Sequence, residues 1–296
     1  MTGAGPGGGS TAMSPKSTAR FAPLVLILLA MPATPSSAPD ADGLAAWKEW
    51  RARRAARLQD PEGWLALAGL HWLSEGENRV EGLPGAFELR GGRVTLRAAA
   101  GDGWTLEGAP VTERVLTSDA ASKPDRLRLG ARVVQVIERG GELALRVWDA
   151  GSPALRAFHG VDTFPYDRRW RIQARWEAYP SPREVEQPSA AGPPQKALAP
   201  GRAHFTVGGR ALTLEPVDED GELLFVFKDA TAPRETYGAG RFLLAKAPEG
   251  GEVVLDFNRA YNPPCAFTPY ATCPLPESHN VLPVRIEAGE RKYGEH

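Results

Sequence analysis

Three times in this chain a Gly-Gly pair stands between two short runs of alternating apolar residues. The first is Phe87-Glu88-Leu89-Arg90-Gly91-Gly92-Arg93-Val94-Thr95-Leu96. The second runs from Val133 to Trp148 around Gly140-Gly141, and the third from His204 to Leu214 around Gly208-Gly209. A tight hairpin needs residues at positive φ, which glycine adopts without a steric penalty. Alternation at period two puts the apolar side chains on one face of a strand. The glycine pairs therefore predict antiparallel hairpins. In Glu142–Asp149 the odd positions Leu143, Leu145 and Val147 are apolar and the even positions include Glu142 and Arg146, which predicts a strand with one wet face.

Further strands are expected at 64–72, 103–107, 169–176, 223–228, 241–245 and 252–257. No long amphipathic helix follows residue 60, and no strand–helix alternation exists, which argues against a Rossmann or TIM-barrel fold. The expected fold class is mainly β: a hairpin-rich composite β-sandwich or barrel-like unit with one N-terminal helix. Asp42 would cap that helix, with Leu44, Trp47, Trp50 and Leu58 on its packed face. Lys48, Arg51, Arg53, Arg54 and Arg57 read as a solvated basic face.

Composition supports a folded, turn-rich chain. Of 296 residues, 32 are Gly and 27 are Pro, while 42% are hydrophobic, enough to build a core. A net charge of -1 leaves no polybasic field, so nucleic acid is not an expected partner. Residues 179–200 carry six prolines and read as a linker or one long surface loop. A single β-rich domain over 39–296 is the preferred organisation, with a split into two lobes at that stretch left open.

Before that domain, Lys16 and Arg20 precede the apolar run Phe21–Met31, and small residues and prolines follow. This order reads as a signal peptide and leader over 1–38. The expected location is extracytoplasmic, periplasmic or secreted, with no membrane span after cleavage. Cys265 and Cys273 are the chain's two cysteines. In an oxidising compartment their count and spacing favour one disulfide; free buried thiols, a metal pair and a nucleophile are the other readings.

Several dense motifs run through the chain. They include Gly63-Trp64-Leu65-Ala66-Leu67-Ala68-Gly69-Leu70-His71-Trp72-Leu73, Leu145-Arg146-Val147-Trp148-Asp149 and Phe164-Pro165-Tyr166-Asp167-Arg168-Arg169-Trp170. The C-terminal third adds Phe227-Lys228-Asp229, Glu235-Thr236-Tyr237-Gly238-Ala239-Gly240-Arg241-Phe242-Leu243, and the run from Leu255 through Asp256-Phe257-Asn258-Arg259-Ala260-Tyr261-Asn262-Pro263-Pro264-Cys265. Together these closely resemble the prokaryotic family catalogued as domain of unknown function 1684, over roughly residues 45–294. The resemblance implies one family-wide domain and no particular reaction. The chain departs from the family pattern at Ala232-Pro233-Arg234, where a Ser-Gly step is usual, and at Val281, where an arginine is usual.

Motifs with an established chemistry are absent. There is no G-x-S-x-G, no H-E-x-x-H, no Walker A and no pair of C-x-x-C motifs, so neither a cofactor nor a metal is expected. Cys265, Cys273 and His279 would supply only three zinc ligands. The densest polar cluster lies in the C-terminal third. Tyr237, Arg241, Asp256, Asn258, Arg259, Tyr261 and Asn262 are its candidate ligand-binding residues. The arginines offer two-pronged donors to an anion, and the tyrosines, with Trp170, offer a platform for a flat ligand. Asp229, Glu235 and Asp256 are the candidate acid–base carboxylates. The expected function is an exported protein that binds a small or carbohydrate-like ligand through this cluster. A carboxylate-dependent hydrolase and a structural envelope-interaction protein are the alternatives.

Overall fold

The computed structural model describes residues 1–3, 5, 7–9 and 40–294; the expected signal segment with Lys16, Arg20 and Phe21–Met31 lies outside them. One long helix, α1 (Ala41–Leu58), opens the described domain. Its cap is Asp40 rather than Asp42: the Asp40 carboxylate accepts from Gly43 N at 3.0 Å and from the Tyr166 hydroxyl at 2.7 Å. Ten strands follow: β1 (Leu67–Trp72), β2 (Gly76–Val80), β3 (Leu83–Arg90), β4 (Arg93–Arg97), β5 (Thr105–Leu106), β6 (Ala109–Pro110), β7 (Glu113–Leu116), β8 (Leu127–Leu129), β9 (Arg132–Arg139) and β10 (Glu142–Asp149). After the short helix α2 (Pro153–Arg156) come β11 (Arg171–Gln187), β12 (Gln195–Val207), β13 (Arg210–Leu214), β14 (Val217–Glu219), β15 (Glu222–Phe227), β16 (Arg241–Ala245) and β17 (Glu252–Asp256).

The strands form four antiparallel sheets, in the orders β1-β10-β9-β8-β5-β6, β2-β3-β4-β7, β13-β12-β11-β17 and β14-β15-β16. None of them closes into a barrel. The three glycine pairs turn β3 into β4, β9 into β10 and β12 into β13, and all six glycines have positive φ. The proline-rich stretch is neither linker nor loop throughout. Much of it is strand: β11 and β12 pair antiparallel from Arg175↔His204 to Gln187↔Gln195, with an irregularity between Ala178 and Arg183. Prolines are tolerated at such interruptions of the ladder.

Two main cores result. Phe87, Leu96, Trp104, Val134, Leu145 and Val147 fill the space between the six-stranded sheet and the β2-β3-β4-β7 sheet. Phe205, Leu214, Phe225, Phe227, Leu243, Leu255 and Phe257 form the second, joined by Leu282 and Ile286 from the C-terminal segment. β10 departs from the expected pattern. Its odd positions face the first core, but its even face is not wet: Ala144, Arg146 and Trp148 are buried as well. That face meets the region under α1 and β14, and it becomes the floor of a cleft.

Candidate functional site

The polar cluster of the C-terminal third is mostly a set of pins. Arg241, at the start of β16, is 1% exposed. Its Nη2 donates to Asp229 Oδ1 at 3.0 Å and to the Ile286 carbonyl at 3.0 Å. Its Nη1 donates to the carbonyls of Ala288 and, at 3.4 Å, Glu290, leaving only Nε without a partner. Asp229 is equally occupied, accepting from Thr231 Oγ1 at 2.9 Å and Ile286 N at 2.7 Å. Burial lowers the guanidinium's pKa, and the Asp229 carboxylate opposes that shift. The arrangement ties β15, β16 and the C-terminal segment together. It offers nothing to a ligand.

Asp256, Asn258 and Arg259 form a second pin. β17 ends at Asp256, and Phe257–Arg259 is a single 3₁₀ turn. Asn258 Nδ2 donates to Asp256 Oδ1 and to the Asp167 carbonyl, both at 3.0 Å, and its Oδ1 accepts from Asp167 N at 3.0 Å. The Asn258 carbonyl in turn accepts from Trp47 Nε1 at 2.9 Å, anchoring α1. Arg259 Nε lies 3.3 Å from Asp256 Oδ2. Asn262 is fully buried and donates to the Arg291 carbonyl at 2.7 Å. Glu235 pairs with Arg285 at 2.6 Å, and the Tyr237 hydroxyl donates to the Cys265 carbonyl at 2.9 Å.

The expected Cys265–Cys273 bridge is not formed. Both cysteines are free thiols, with Cys265 N donating to Cys273 Sγ at 3.2 Å. A side-chain hydrogen bond between the two thiols lowers the pKa of Cys265 and raises that of Cys273; burial raises Cys273 further, against the backbone N–H of Cys265. Among the described residues no group of three or more metal-ligating side chains gathers. No described helix is long and apolar enough to cross a membrane.

A cavity of about 1140 Å³ opens elsewhere. It takes Trp50, Arg53, Arg54 and Arg57 from α1, Trp64 from the turn before β1, and Gln135, Arg139, Arg146 and Trp148 from β9 and β10. Gln187 and Lys196 on β11 and β12, Glu219 on β14, and Arg259, Tyr261, Thr272 and Cys273 complete much of its lining. Of the seven ligand-binding residues expected from sequence, only Arg259 and Tyr261 reach this cleft. None of Asp229, Glu235 and Asp256 lines it. The basic face of α1 is not simply solvated: Arg54 is 8% exposed, donating to Glu290 Oε1 at 3.0 Å and the Asn262 carbonyl at 2.8 Å. The Arg54 guanidinium also sits 4.8 Å from the Tyr261 ring centre. Burial pushes the Tyr261 phenol up to about 12 against the pull of Arg54 and Arg57.

Arg146 occupies the floor. It is 7% exposed and stands opposite Gln135 in the β9–β10 ladder. Its guanidinium lies 5.3 Å from the Trp64 ring centre and 5.9 Å from that of Trp148. Burial pulls its pKa down to about 10, and the like charge of Arg139 adds to the fall. Sequence reasoning passed over this residue, although the signal was present. An arginine two positions before a tryptophan shares that tryptophan's face of the strand. A face holding both a large indole and a guanidinium is a candidate for burial rather than for water.

Fold and cleft thus define a mainly β protein with a tryptophan-lined cleft that carries both guanidinium groups and carboxylates. Residues 156–291 match the family model described as "Protein of unknown function (DUF1684)". The resemblance read from the sequence therefore holds over that stretch, which takes in β11–β17 and leaves out α1 and β1–β10. Arg146, Trp64 and Trp148 come from outside it. The solution NMR structure of the uncharacterized protein from gene locus rrnAC0354 of Haloarcula marismortui is similar at 30% identity. The match covers 49% of this chain and 83% of that chain, with a TM-score of 0.42. No curated protein matches.

Proposed function

We propose that this is an exported protein that binds a small or carbohydrate-like ligand in the cleft between α1, the β9–β10 hairpin and β14. The observation that carries the reading is the cleft itself, which sets Trp50, Trp64 and Tyr261 beside several guanidinium groups. Concave sites that combine flat apolar surfaces with a few fixed polar groups are where small ligands bind. The C-terminal cluster contributes Arg259 and Tyr261 directly, and Asn258 indirectly by holding α1 in place. The hydrolase alternative lacks support from the three carboxylates proposed for it, since each is committed to pairing within the protein.

Export and the Cys265–Cys273 bridge belong to the same reading. In an oxidising compartment, exchange with a disulfide donor would convert the two thiols to a bridge and the donor to its dithiol. Two measurements test the proposal. Sequencing the mature N-terminus and unreduced mass spectrometry of protein from its native host should give a chain lacking the leader and two hydrogens lighter. A thermal-shift screen of sugars, uronates, phosphates and small acids should give at least one stabilising ligand, and Trp50→Ala should weaken it without lowering Tm. A screen with no stabilising ligand, or a ligand indifferent to Trp50, overturns the binding site; an intact leader overturns export.

A further inference from the structure

Arg54, Arg146 and Arg241 are all more than nine-tenths buried, and they are partnered very differently. Arg241 has a carboxylate and three carbonyls, while Arg54 has a carboxylate and a carbonyl. Arg146 has neither. Its hydrogen bond is from Nη2 to Thr272 Oγ1 at 3.5 Å, the outer limit for such a contact, and its Nε has no partner. No carboxylate pairs with it among the described residues. A guanidinium carries five donors in a rigid fork, and leaving them unmatched out of water is costly. A ligand with matching acceptors would complete such a group.

The surroundings of Arg146 suit one kind of ligand. The other cationic side chains of the cleft are mostly neutralised by neighbours: Arg53 by Glu49, Arg126 by Glu62, Arg139 by Asp119 and Lys196 by Glu184. The carboxylates of Asp60, Asp218, Glu219 and Glu222 line the same cleft. Two cations of the lining, Arg57 and Arg146, have no ion-pair partner among the described residues, and Arg146 is the buried one. The buried amide of Gln135 and the Thr272 hydroxyl stand beside it, and Trp64 walls one side. A guanidinium fork matches the two oxygens of a carboxylate or phosphate in one plane. An indole face beside it suits a ring attached to that anion.

We infer that Arg146 is the anchor of an oxyanion subsite, so that the cleft's ligand is a small molecule bearing a carboxylate or phosphate on a ring-shaped body. The inference rests on the cleft being a ligand site and says which end of the ligand reaches the floor. Arg146 holds the anion, Gln135 and Thr272 add hydrogen bonds, and Trp64 carries the ring.

Calorimetric titration of the full chain with glucose, glucuronate, glucose 6-phosphate and inorganic phosphate tests it. Glucuronate separates a carboxylate ligand from a phosphate one, and glucose lacks both. Glucuronate or glucose 6-phosphate should bind at least tenfold more tightly than glucose. Arg146→Gln should weaken that binding about 10- to 100-fold, the scale of lost charge-assisted hydrogen bonds. Its Tm without ligand should not fall, because no protein carboxylate is left unpaired. Arg53→Gln, on the rim, should change affinity far less. The Arg146 Nε–H signal should also shift during the titration. Glucose binding as tightly as the anions and unaffected by Arg146→Gln overturns the oxyanion subsite while leaving the cleft as a ligand site. Failure of all four probes to bind overturns the subsite, and the wider ligand screen then decides the cleft. A several-degree fall in the Tm of Arg146→Gln with anion affinity unchanged assigns Arg146 to the scaffold and overturns the inference.

Discussion

Arg241 and Arg146 are the same side chain, both on strands and both withdrawn from water, yet they do opposite things. Arg241 closes a network in which nearly every donor and acceptor belongs to the protein. Arg146 ends in a cavity with one long hydrogen bond. The first stabilises the native state as long as the network is complete. The second adds little to stability and leaves binding capacity unused. Burial alone therefore does not separate scaffold from site. The separating quantity is how much of the group's hydrogen-bonding capacity the fold itself fills.

The largest effect should come from opening the Arg241 network. Asp229→Ala strands a buried guanidinium, a loss of about 3–5 kcal/mol. For a domain of this size that is a fall of roughly 6–20 °C in Tm. Scanning calorimetry or urea unfolding measures it. A variant melting within a degree of wild type would show that Arg241 does not depend on Asp229, and the contrast with Arg146 would lose its scaffold half.

A smaller loss is expected at Asn258. Asn258→Ala removes its bonds to both polar groups of the Asp167 peptide and to Asp256. Orphaning buried groups of this kind costs about 1–3 kcal/mol. The loss should reach the cleft as well, because the Asn258 carbonyl holds Trp47 and so α1. Amide exchange across α1 should quicken in the variant. Unchanged exchange there would separate the pin from the helix.

Glu215 sharpens the comparison from the acid side. It is buried between β13 and β14, close to the Tyr179 hydroxyl, Arg183 at 2.8 Å and Arg202 at 2.9 Å. Burial alone would raise its pKa, but the hydrogen bonds from Tyr179 and Arg202 and the charge of Arg183 outweigh that and hold it below the ordinary value. A carboxyl with a depressed native pKa stabilises the fold above its unfolded value of about 4.3, and the contribution is lost as pH falls through the native value. Glu215→Gln should therefore lower Tm near neutrality and flatten its fall below pH ~4. A variant as acid-sensitive as wild type would place the acid limb on other carboxylates.

The sequence made much of the architecture legible and less of the site. Gly91-Gly92, Gly140-Gly141 and Gly208-Gly209 act through local backbone geometry, which needs no knowledge of the rest of the chain, and all three hairpins are where they were expected. Asp256, Asn258 and Arg259 do meet, because neighbours along a turn have little choice. Arg241 misled because its partners, Asp229 and the carbonyls of Ile286, Ala288 and Glu290, lie 12 to 49 positions away. Nothing local marks an arginine as saturated. The prolines of 179–200 misled for a related reason. A ladder with an irregularity at 178–183 accommodates them, and only the pairing partner reveals the strand. The floor of the cleft is harder still, since it joins α1, β10 and the segment around Thr272 across more than two hundred residues.

The finest test applies one substitution to both arginines. Methionine has similar length and no charge. At position 241 it would leave the Asp229 carboxylate and three carbonyls without their donor, and the fold should be lost or severely weakened. At position 146 the accounting differs. The variant gives up a 3.5 Å contact to Thr272 and the attraction of a guanidinium to two indoles, about 0.5–2 kcal/mol together. Against that, it relieves the cost of keeping an unpaired charge away from water, and the thioether packs well against Trp64 and Trp148. The two changes should nearly cancel, leaving Arg146→Met within about 1 kcal/mol of wild type by urea unfolding at pH 7, in either direction. At higher pH the difference should shift in a defined sense. Because burial brings the Arg146 pKa down to about 10, the wild type gives up proton binding that its unfolded chain retains. Its stability should therefore rise relative to Arg146→Met as pH climbs through 10. A stability difference that stays flat from pH 7 to 11 would show that Arg146 keeps its proton in the fold, whereas a loss of several kcal/mol at pH 7 for Arg146→Met would remove the distinction between the two arginines.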